Sequence, residues 1–149
     1  SKNLKSYDMI PLLFISLTII AGTFVSGMDA GLVYNNFPYM GDSIIPIEYG
    51  TLGLIDPFEN PVSAQFHHRL LASITLIIII LYSVNYIMKN PINLRILILL
   101  FAIICQFIIG IFTLLYSVPI TLGAMHQFGG VLLFLSSIWL LHYPRNKTF

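Results

Sequence analysis

Four long apolar stretches are the feature that most constrains what this chain can fold into. They cover residues 9–30, 62–88, 94–116 and 120–142. A helix that crosses a bilayer needs about 20 apolar residues, so each stretch is long enough to span one. Only 9% of the residues are charged, against about 25% in a typical soluble domain. The sequence therefore predicts an all-α membrane protein, an antiparallel bundle of four transmembrane helices that forms one domain over residues 1–149.

Basic residues predict the orientation of this bundle. Six of them would lie at one end of it: Lys2, Lys5, Lys89, Arg95, Arg145 and Lys147. The positive-inside rule assigns that end to the cytoplasm or the mitochondrial matrix. We therefore expect both termini inside, with Arg69 and most of the acidic residues towards the outer face.

The links between the stretches differ in length. Residues 89–93 and 116–119 form tight turns, which place neighbouring helices side by side in antiparallel fashion. Residues 31–61 form a loop that is rich in aromatic and turn residues. A loop of that size usually has structure or a task of its own. We expect an ordered cap on the outer membrane surface with one short amphipathic helix, and a flexible linker is the alternative.

Two histidines lie at matched depth in the second and fourth helices. His68 follows Pro61 by seven residues, and His126 follows Pro119 by seven. At 1.5 Å of rise per residue, both rings would lie about 10 Å from the outer helix ends. An imidazole within hydrocarbon is costly unless it has a partner. Heme iron needs only two axial ligands, whereas zinc wants three or four. The pair thus favours a bis-histidine heme, while a hydrogen-bonded structural role or a proton relay stays open.

A faint internal repeat supports a shared site for these rings. The first and third helices contain IIAGTF and FIIGIF, whose glycines are Gly22 and Gly110. The second and fourth helices return with HHRLLA and MHQFGG near their outer ends. A pseudo-twofold axis along the membrane normal would turn the two histidines towards one point. The small residues nearby, which include Gly129 and Gly130, leave room either for a porphyrin edge or for close helix contact.

Two further residues of the second helix are candidates for binding the cofactor. Arg69 fits a heme propionate because its planar guanidinium pairs well with a carboxylate. Snorkelling, or pairing with Asp29 or Glu59, is the alternative. Gln65 precedes His68 by three residues on the same helical face, so it can hydrogen-bond a propionate or the ligand ring. His67 is rotated about 100° from His68, so only one of the two can face the iron.

Three ordered stretches carry a resemblance to a known family. They are GTFVSGMDAGLVYNNFPYM, NPVSAQFHHRLLA and AMHQFGG. They resemble the C-terminal half of heme A synthase, of the type found in alphaproteobacteria and mitochondria. The resemblance implies one half of an eight-helix pseudo-symmetric fold, and an oxidoreductase that converts a methyl group of heme O to the formyl group of heme A. It also implies that His68 and His126 are axial ligands of a heme b.

The resemblance further implies a location and partners. We expect a bacterial inner membrane protein, or alternatively one of the mitochondrial inner membrane. The substrate heme O would bind the missing N-terminal half, which carries a glutamate where this chain has Gln65. A heme O synthase, oxidase-assembly proteins or a second copy of this chain are candidate partners, and nucleic acid is not. The alternative function is a non-enzymatic membrane cytochrome of the b type that exchanges electrons with quinone.

Overall fold

Residues 6–142, the part of the chain that the computed structural model describes, contain five α-helices and three short 3-10 turns. The helices are α1 (Ile10–Gly27), α2 (Asp56–Glu59), α3 (Pro61–Lys89), α4 (Leu94–Leu115) and α5 (Ile120–Leu141). The 3-10 turns are Ser6–Met9, Ala30–Leu32 and Gly53–Ile55. Four of the helices, α1 and α3 to α5, are long and apolar enough to cross a membrane. The predicted four-helix membrane bundle is therefore confirmed.

Local sequence signals explain where these helices begin and end. Asn60 caps α3, because its side-chain oxygen accepts from the Val62 amide at 3.0 Å, and Pro61 is the first helical residue. Asn93 caps α4 in the same way. The helix α1 ends at Gly27 rather than at the predicted residue 30, since the chain turns sharply at Asp29, which has a left-handed φ of 51°.

The four long helices close into a ring. The helix α1 packs chiefly on α3 and α4 packs on α5, and contacts of α3 with α4 and of α1 with α5 join the two pairs. Apolar side chains fill one half of the bundle, towards the turn that links α3 to α4. They are Ile15, Ile79, Tyr82, Tyr86, Ile96, Leu99, Ile103, Leu133 and Leu140. The other half, towards the long loop, encloses the cavity described below.

The outward faces of the helices are apolar as well. Leu13, Ile77, Phe101 and Phe128 each expose more than half of their surface, although all four lie within membrane-spanning helices. A helix that is apolar all round belongs in hydrocarbon, because water would not tolerate its outer face. These side chains are therefore the lipid-facing surface of a membrane protein.

The loop between α1 and α3 is ordered and lies over the open end of the bundle. Asp56 is buried and accepts from the amides of Gly50 at 2.9 Å and Leu52 at 3.0 Å. Asn35 donates to the carbonyl of Leu114 at 3.0 Å, which fastens the loop to the end of α4. The loop includes the short helix α2, whose four residues are too few to show the predicted amphipathic pattern. Its hydrogen bonds make the loop an ordered cap rather than a flexible linker.

The predicted orientation rests partly on residues that lie outside the described range: Lys2, Lys5, Arg145 and Lys147. Lys89 and Arg95 lie on the turn side of α3 and α4, opposite to the loop. Arg95 donates to the carbonyl of Trp139 at 2.8 Å, and its guanidinium lies 4.7 Å from the centre of the Trp139 ring. That the turn side faces the cytoplasm or matrix stays a prediction.

Candidate functional site

One cavity of about 830 Å³ occupies the half of the bundle beneath the loop. All four long helices contribute to its wall, and Asp29, Leu32 and Phe37 of the loop contribute to its mouth. Binding pockets for small molecules and cofactors range from about 300 to 1,000 Å³ and are mostly apolar with a few placed polar groups. The volume and the mixed lining therefore suit a large, mainly apolar ligand with polar ends.

His68 and His126 face each other across this cavity. Their ring centres lie 6.3 Å apart and their planes are inclined at 84°. With a metal–nitrogen distance of about 2 Å on each side, two imidazoles that hold one ion from opposite faces have centres about 6 Å apart. His68 is the eighth residue of α3 and His126 the seventh of α5. The depths thus match to within one residue, and the structure brings the two predicted ligands together.

Each of these rings packs closely against a glycine on the adjacent helix. A Cβ added to Gly22 of α1 would lie 3.0 Å from Cε1 of His68, and one added to Gly110 of α4 would lie 2.7 Å from Cε1 of His126. The distance at Gly110 is shorter than real Cβ contacts, and the distance at Gly22 is tighter than most of them, so a side chain at either position would displace the histidine ring. The sequence repeat therefore has a structural counterpart in which each outgoing helix supports the histidine of the returning helix.

The two rings differ in what contacts their Nδ1 atoms. Nδ1 of His68 lies 3.1 Å from the carbonyl oxygen of Thr18, which can only accept a hydrogen bond. Nδ1 therefore carries the proton and Nε2 keeps the lone pair that a metal requires. Nδ1 of His126 instead lies 3.2 Å from Nε2 of Gln106 on α4. For His68, Nε2 is therefore the nitrogen available to a metal.

Gln65 and Arg69 lie on the loop side of His68 and line the same cavity. The Tyr34 carbonyl accepts two hydrogen bonds, one from Gln65 at 2.9 Å and one from a guanidinium NH2 group of Arg69 at 2.7 Å. Arg69 also donates to the carbonyls of Asn36 and Tyr39, so loop carbonyls rather than Asp29 or Glu59 hold it. Among the described residues, Oε1 of Gln65 and Nε of Arg69 are buried polar atoms without a partner.

His67 does not line the cavity, so of the two neighbouring histidines only His68 does. Nε2 of His67 lies 3.3 Å from the Tyr49 hydroxyl, and the His67 ring packs against that of Tyr49 with centres 5.4 Å apart. Gly129 and Gly130, for which the sequence left either a porphyrin edge or close helix contact open, contact α4. A Cβ on Gly129 would collide with Oε1 of Gln106, and one on Gly130 would lie 3.5 Å from Nε2. Gly129 therefore accommodates the Gln106 side chain, whereas Gly130 lines the cavity.

Gln106, Thr18 and Tyr34 contact the site residues, and the sequence interpretation missed all three. A signal for two of them was present, because Thr18 precedes Gly22 by four residues and Gln106 precedes Gly110 by four. Residues four apart lie on one helical face. The repeat that aligns the glycines therefore also aligns the two residues that contact the histidines. Tyr34 contributes its backbone carbonyl, and a pattern of side chains cannot predict such a role.

The donor set suits heme better than a bare ion. Within residues 6–142, no three His, Cys, Asp or Glu side chains converge in a way that could hold a metal. A protein zinc site would need at least one more such ligand. Two opposed imidazoles, a cavity of sufficient size and the partnerless donor Nε of Arg69 at its polar end together match a heme with carboxylate substituents.

The loop that covers the cavity has two perturbed titratable groups. Burial raises the pKa of Asp56, but hydrogen bonds from Ser63, the Leu52 amide, Asn60 and the Gly50 amide outweigh it and hold the pKa well below the ordinary 3.8. The hydrogen bond of Tyr34 to Glu48, with burial and the charge of Glu48, raises the Tyr34 pKa above 10.0. Near neutral pH the native contacts thus favour a charged Asp56 and an uncharged Tyr34.

The chain is similar to known proteins over nearly its whole length. The family model for COX15-CtaA, cytochrome oxidase assembly protein, matches residues 1–138. The heme A synthase of Wolbachia pipientis wMel is 39% identical over 99% of this chain and 42% of its own length. That of Rickettsia prowazekii (strain Madrid E) is 38% identical over 98% of this chain and 45% of its own.

Mitochondrial relatives match as well. Heme A synthase COX15 of Homo sapiens is 40% identical over 87% of this chain and 33% of its own length. The chain therefore spans between a third and a half of these curated relatives. No solved structure matches it.

Proposed function

The chain belongs to the COX15-CtaA family of cytochrome oxidase assembly proteins, and on that premise we propose that it is the cofactor-heme-binding half of a heme A synthase. The complete enzyme would oxidise the methyl group of heme O to the formyl group of heme A for terminal oxidases. One observation carries the proposal. The imidazoles of His68 and His126 oppose each other across a cavity with 6.3 Å between their centres, a separation that suits two axial ligands of one iron.

Each site residue has a defined task in this proposal. His68 and His126 would hold the iron through Nε2. The carbonyl of Thr18 orients the His68 ring through its hydrogen bond to Nδ1. Arg69 has a partnerless Nε–H in the cavity wall, and it would pair with a heme propionate. The apolar wall excludes water from the site. A bound heme would supply one-electron transfer.

This chain contributes electron transfer rather than the oxidation itself. Gln65 occupies the place where the resemblance puts a glutamate in the substrate half, and a neutral amide cannot act as a general base. Its Nε2 is already committed to the Tyr34 carbonyl. Catalysis would therefore require a second four-helix unit that binds heme O. Without such a unit, the same site would serve a membrane b-type cytochrome that exchanges electrons with quinone.

The visible spectrum of the purified full chain tests the heme site. We expect a low-spin b-type spectrum that is lost in His68→Ala and in His126→Ala. The matched control is His67→Ala, because its ring lies against Tyr49 outside the cavity, and it should retain the spectrum. A colourless, folded wild-type protein would overturn the proposal.

A second experiment separates the enzyme from the simple cytochrome. The chain is produced together with the N-terminal half of a relative, and the hemes are extracted and separated by chromatography. Conversion of heme O to heme A only when both halves are present supports the synthase. Heme binding without conversion in any such combination favours the cytochrome.

A further inference from the structure

Gln106 of α4 contacts the His126 ring in the cavity. We propose that it is a positioning residue that controls which nitrogen of His126 carries the proton. This inference rests on the proposed heme site. It concerns the ring for which the structure shows a donor, not an acceptor, beside Nδ1. In the heme-free state Gln106 would hold His126 in a form that cannot bind iron, and a rotation of its amide would release it.

The Gln106 side chain packs into a closely fitting space on the facing helix, α5. Its Nε2 donates to the carbonyl of His126 at 2.7 Å, and the same atom lies 3.2 Å from Nδ1 of that residue. The side chain occupies space that exists because Gly129 lacks a Cβ, since a Cβ there would collide with Oε1 of Gln106. A residue in simple van der Waals contact would not need both this glycine and a pair of polar contacts. The arrangement therefore fixes an amide group beside the ring.

The polarity of this contact determines the tautomer of His126. An amide Nε2 can only donate, so Nδ1 of His126 has to accept. The neutral ring then carries its proton on Nε2, where a metal would bind. His68 shows the opposite arrangement, because the Thr18 carbonyl beside its Nδ1 can only accept. Of the two rings, only His68 is thus ready to ligate in the heme-free state.

The unsatisfied oxygen of Gln106 supplies the means to change this state. Oε1 is buried without a hydrogen-bond partner, and an unpaired buried polar atom is destabilising. Rotation of the amide group would exchange Oε1 with Nε2, so that Oε1 accepts the proton of Nδ1 and Nε2 of His126 becomes free for iron. The rotation gives up the bond to the His126 carbonyl, and the Gln106 side chain would have to shift as well, because Oε1 would otherwise take the place of Nε2 beside that carbonyl oxygen. Ligation of the iron would compensate for that loss.

The rotated amide would also adjust the electronic properties of the ligand. A hydrogen bond accepted from Nδ1–H raises the basicity of a metal-bound imidazole, and such bonds are a lever on heme potential. A more basic ligand favours the ferric state and lowers the midpoint potential. A stronger acceptor than Gln106 should therefore lower the potential of the heme, and a residue that cannot accept should raise it.

Nitrogen NMR on the heme-free, full-length protein tests the tautomer directly. With 15N-labelled histidine, we expect His126 to be protonated on Nε2 and His68 on Nδ1. Gln106→Leu should shift His126 towards the mixture that free imidazole shows, while His68 stays unchanged. A wild-type His126 that is already protonated on Nδ1 would overturn the inference, and this result does not depend on any heme.

Redox titration of the heme-loaded protein tests the second half of the inference. Gln106→Glu, which has nearly the same shape, should lower the midpoint potential, and Gln106→Leu should raise it. Each shift should reach about a tenfold change in the ratio of reduced to oxidised heme, equivalent to about 59 mV. Cys105→Ala is the matched control, since Cys105 is the chain neighbour of Gln106 and does not line the cavity. Its potential should equal that of the wild type.

The outcomes separate the two proposals. Low-spin heme with the same potential in the wild type and in both Gln106 variants overturns the role of Gln106 and leaves the heme site standing. A wild-type protein that binds no heme overturns both. Should Gln106→Leu fail to fold, Gln106→Glu and the NMR measurement on the wild type still decide the question.

Discussion

Gly110→Ala is the substitution from which the structure allows the sharpest prediction. The added Cβ would lie 2.7 Å from Cε1 of His126, whereas ordinary contact begins near 3.4 Å. The ring would therefore have to retreat by about 0.7 Å. At Gly22 the corresponding Cβ would lie 3.0 Å from His68, so the required retreat is about 0.4 Å. Ligand positions in metal sites tolerate deviations of about 0.2 Å, and both substitutions exceed that tolerance.

The effect on heme binding should be larger than the effect on folding. An alanine in a helix interior is worth about 1 kcal/mol over glycine, while overpacking costs about 1–3 kcal/mol. These contributions largely cancel, so the free energy of unfolding should fall by no more than about 2 kcal/mol. Heme affinity should fall by about 10- to 100-fold in Gly110→Ala, the range found when support of a metal ligand is lost. The loss in Gly22→Ala should be smaller.

Heme titration of the purified variants, followed by visible absorption, measures this difference. The matched control is Gly27→Ala at the end of α1, because Gly27 also lines the cavity but a Cβ there meets nothing within 4 Å and so does not touch either histidine. It should bind heme like the wild type and unfold at the same or a higher temperature. Wild-type affinity in Gly110→Ala, or an equal loss in Gly27→Ala, would refute the assignment of Gly110 as the residue that positions the His126 ring.

Three further predictions concern the ligand planes, the loop and its anchor. The planes of His68 and His126 are inclined at 84°, so ferric heme should give a highly anisotropic low-spin electron paramagnetic resonance signal, and a rhombic signal typical of parallel planes would contradict the geometry. The pKa of Asp56 is depressed, so its stabilisation of the loop is complete above pH 3.8 and is lost only as the pH falls through the lower native pKa. Limited proteolysis at pH 4 should therefore find the loop protected in the wild type and cleaved in Asp56→Asn. Asp42→Asn, which changes an exposed side chain, should behave as the wild type. Arg69→Gln removes charged hydrogen bonds to three loop carbonyls. The free energy of unfolding should fall by about 1–2 kcal/mol, with the partial exposure of the Arg69 side chain taken into account. Unchanged thermal unfolding and loop protection would show that Arg69 does not anchor the loop.

The contacts between these glycines and the histidines also clarify the meaning of the internal repeat. Gly22 and Gly110 align in sequence, and in space each one meets the histidine of the next helix. Thr18 and Gln106 align as well, but the first offers a carbonyl and the second an amide side chain. The two halves of the bundle are therefore alike in backbone and different in the polarity that each histidine meets.

The sequence by itself determined the number of long helices, their approximate bounds and the depth of the two histidines. These properties are local, because span length follows from a run of apolar residues and depth follows from the rise of 1.5 Å per residue after a proline or cap. The order of a loop with so many aromatic residues could be expected on similar grounds. His68 and His126 could therefore be identified as candidate ligands from the sequence alone.

Only the tertiary structure decided which atoms these side chains meet. That His68 and not His67 faces the cavity depends on how α3 is rotated against α1. That loop carbonyls hold Arg69 depends on how residues 34–39 fold back over α3. The position of Gln106 beside His126 depends on how α4 packs on α5. Each of these is a relation between segments far apart in the chain, and the packing of whole helices sets it rather than any spacing of residues.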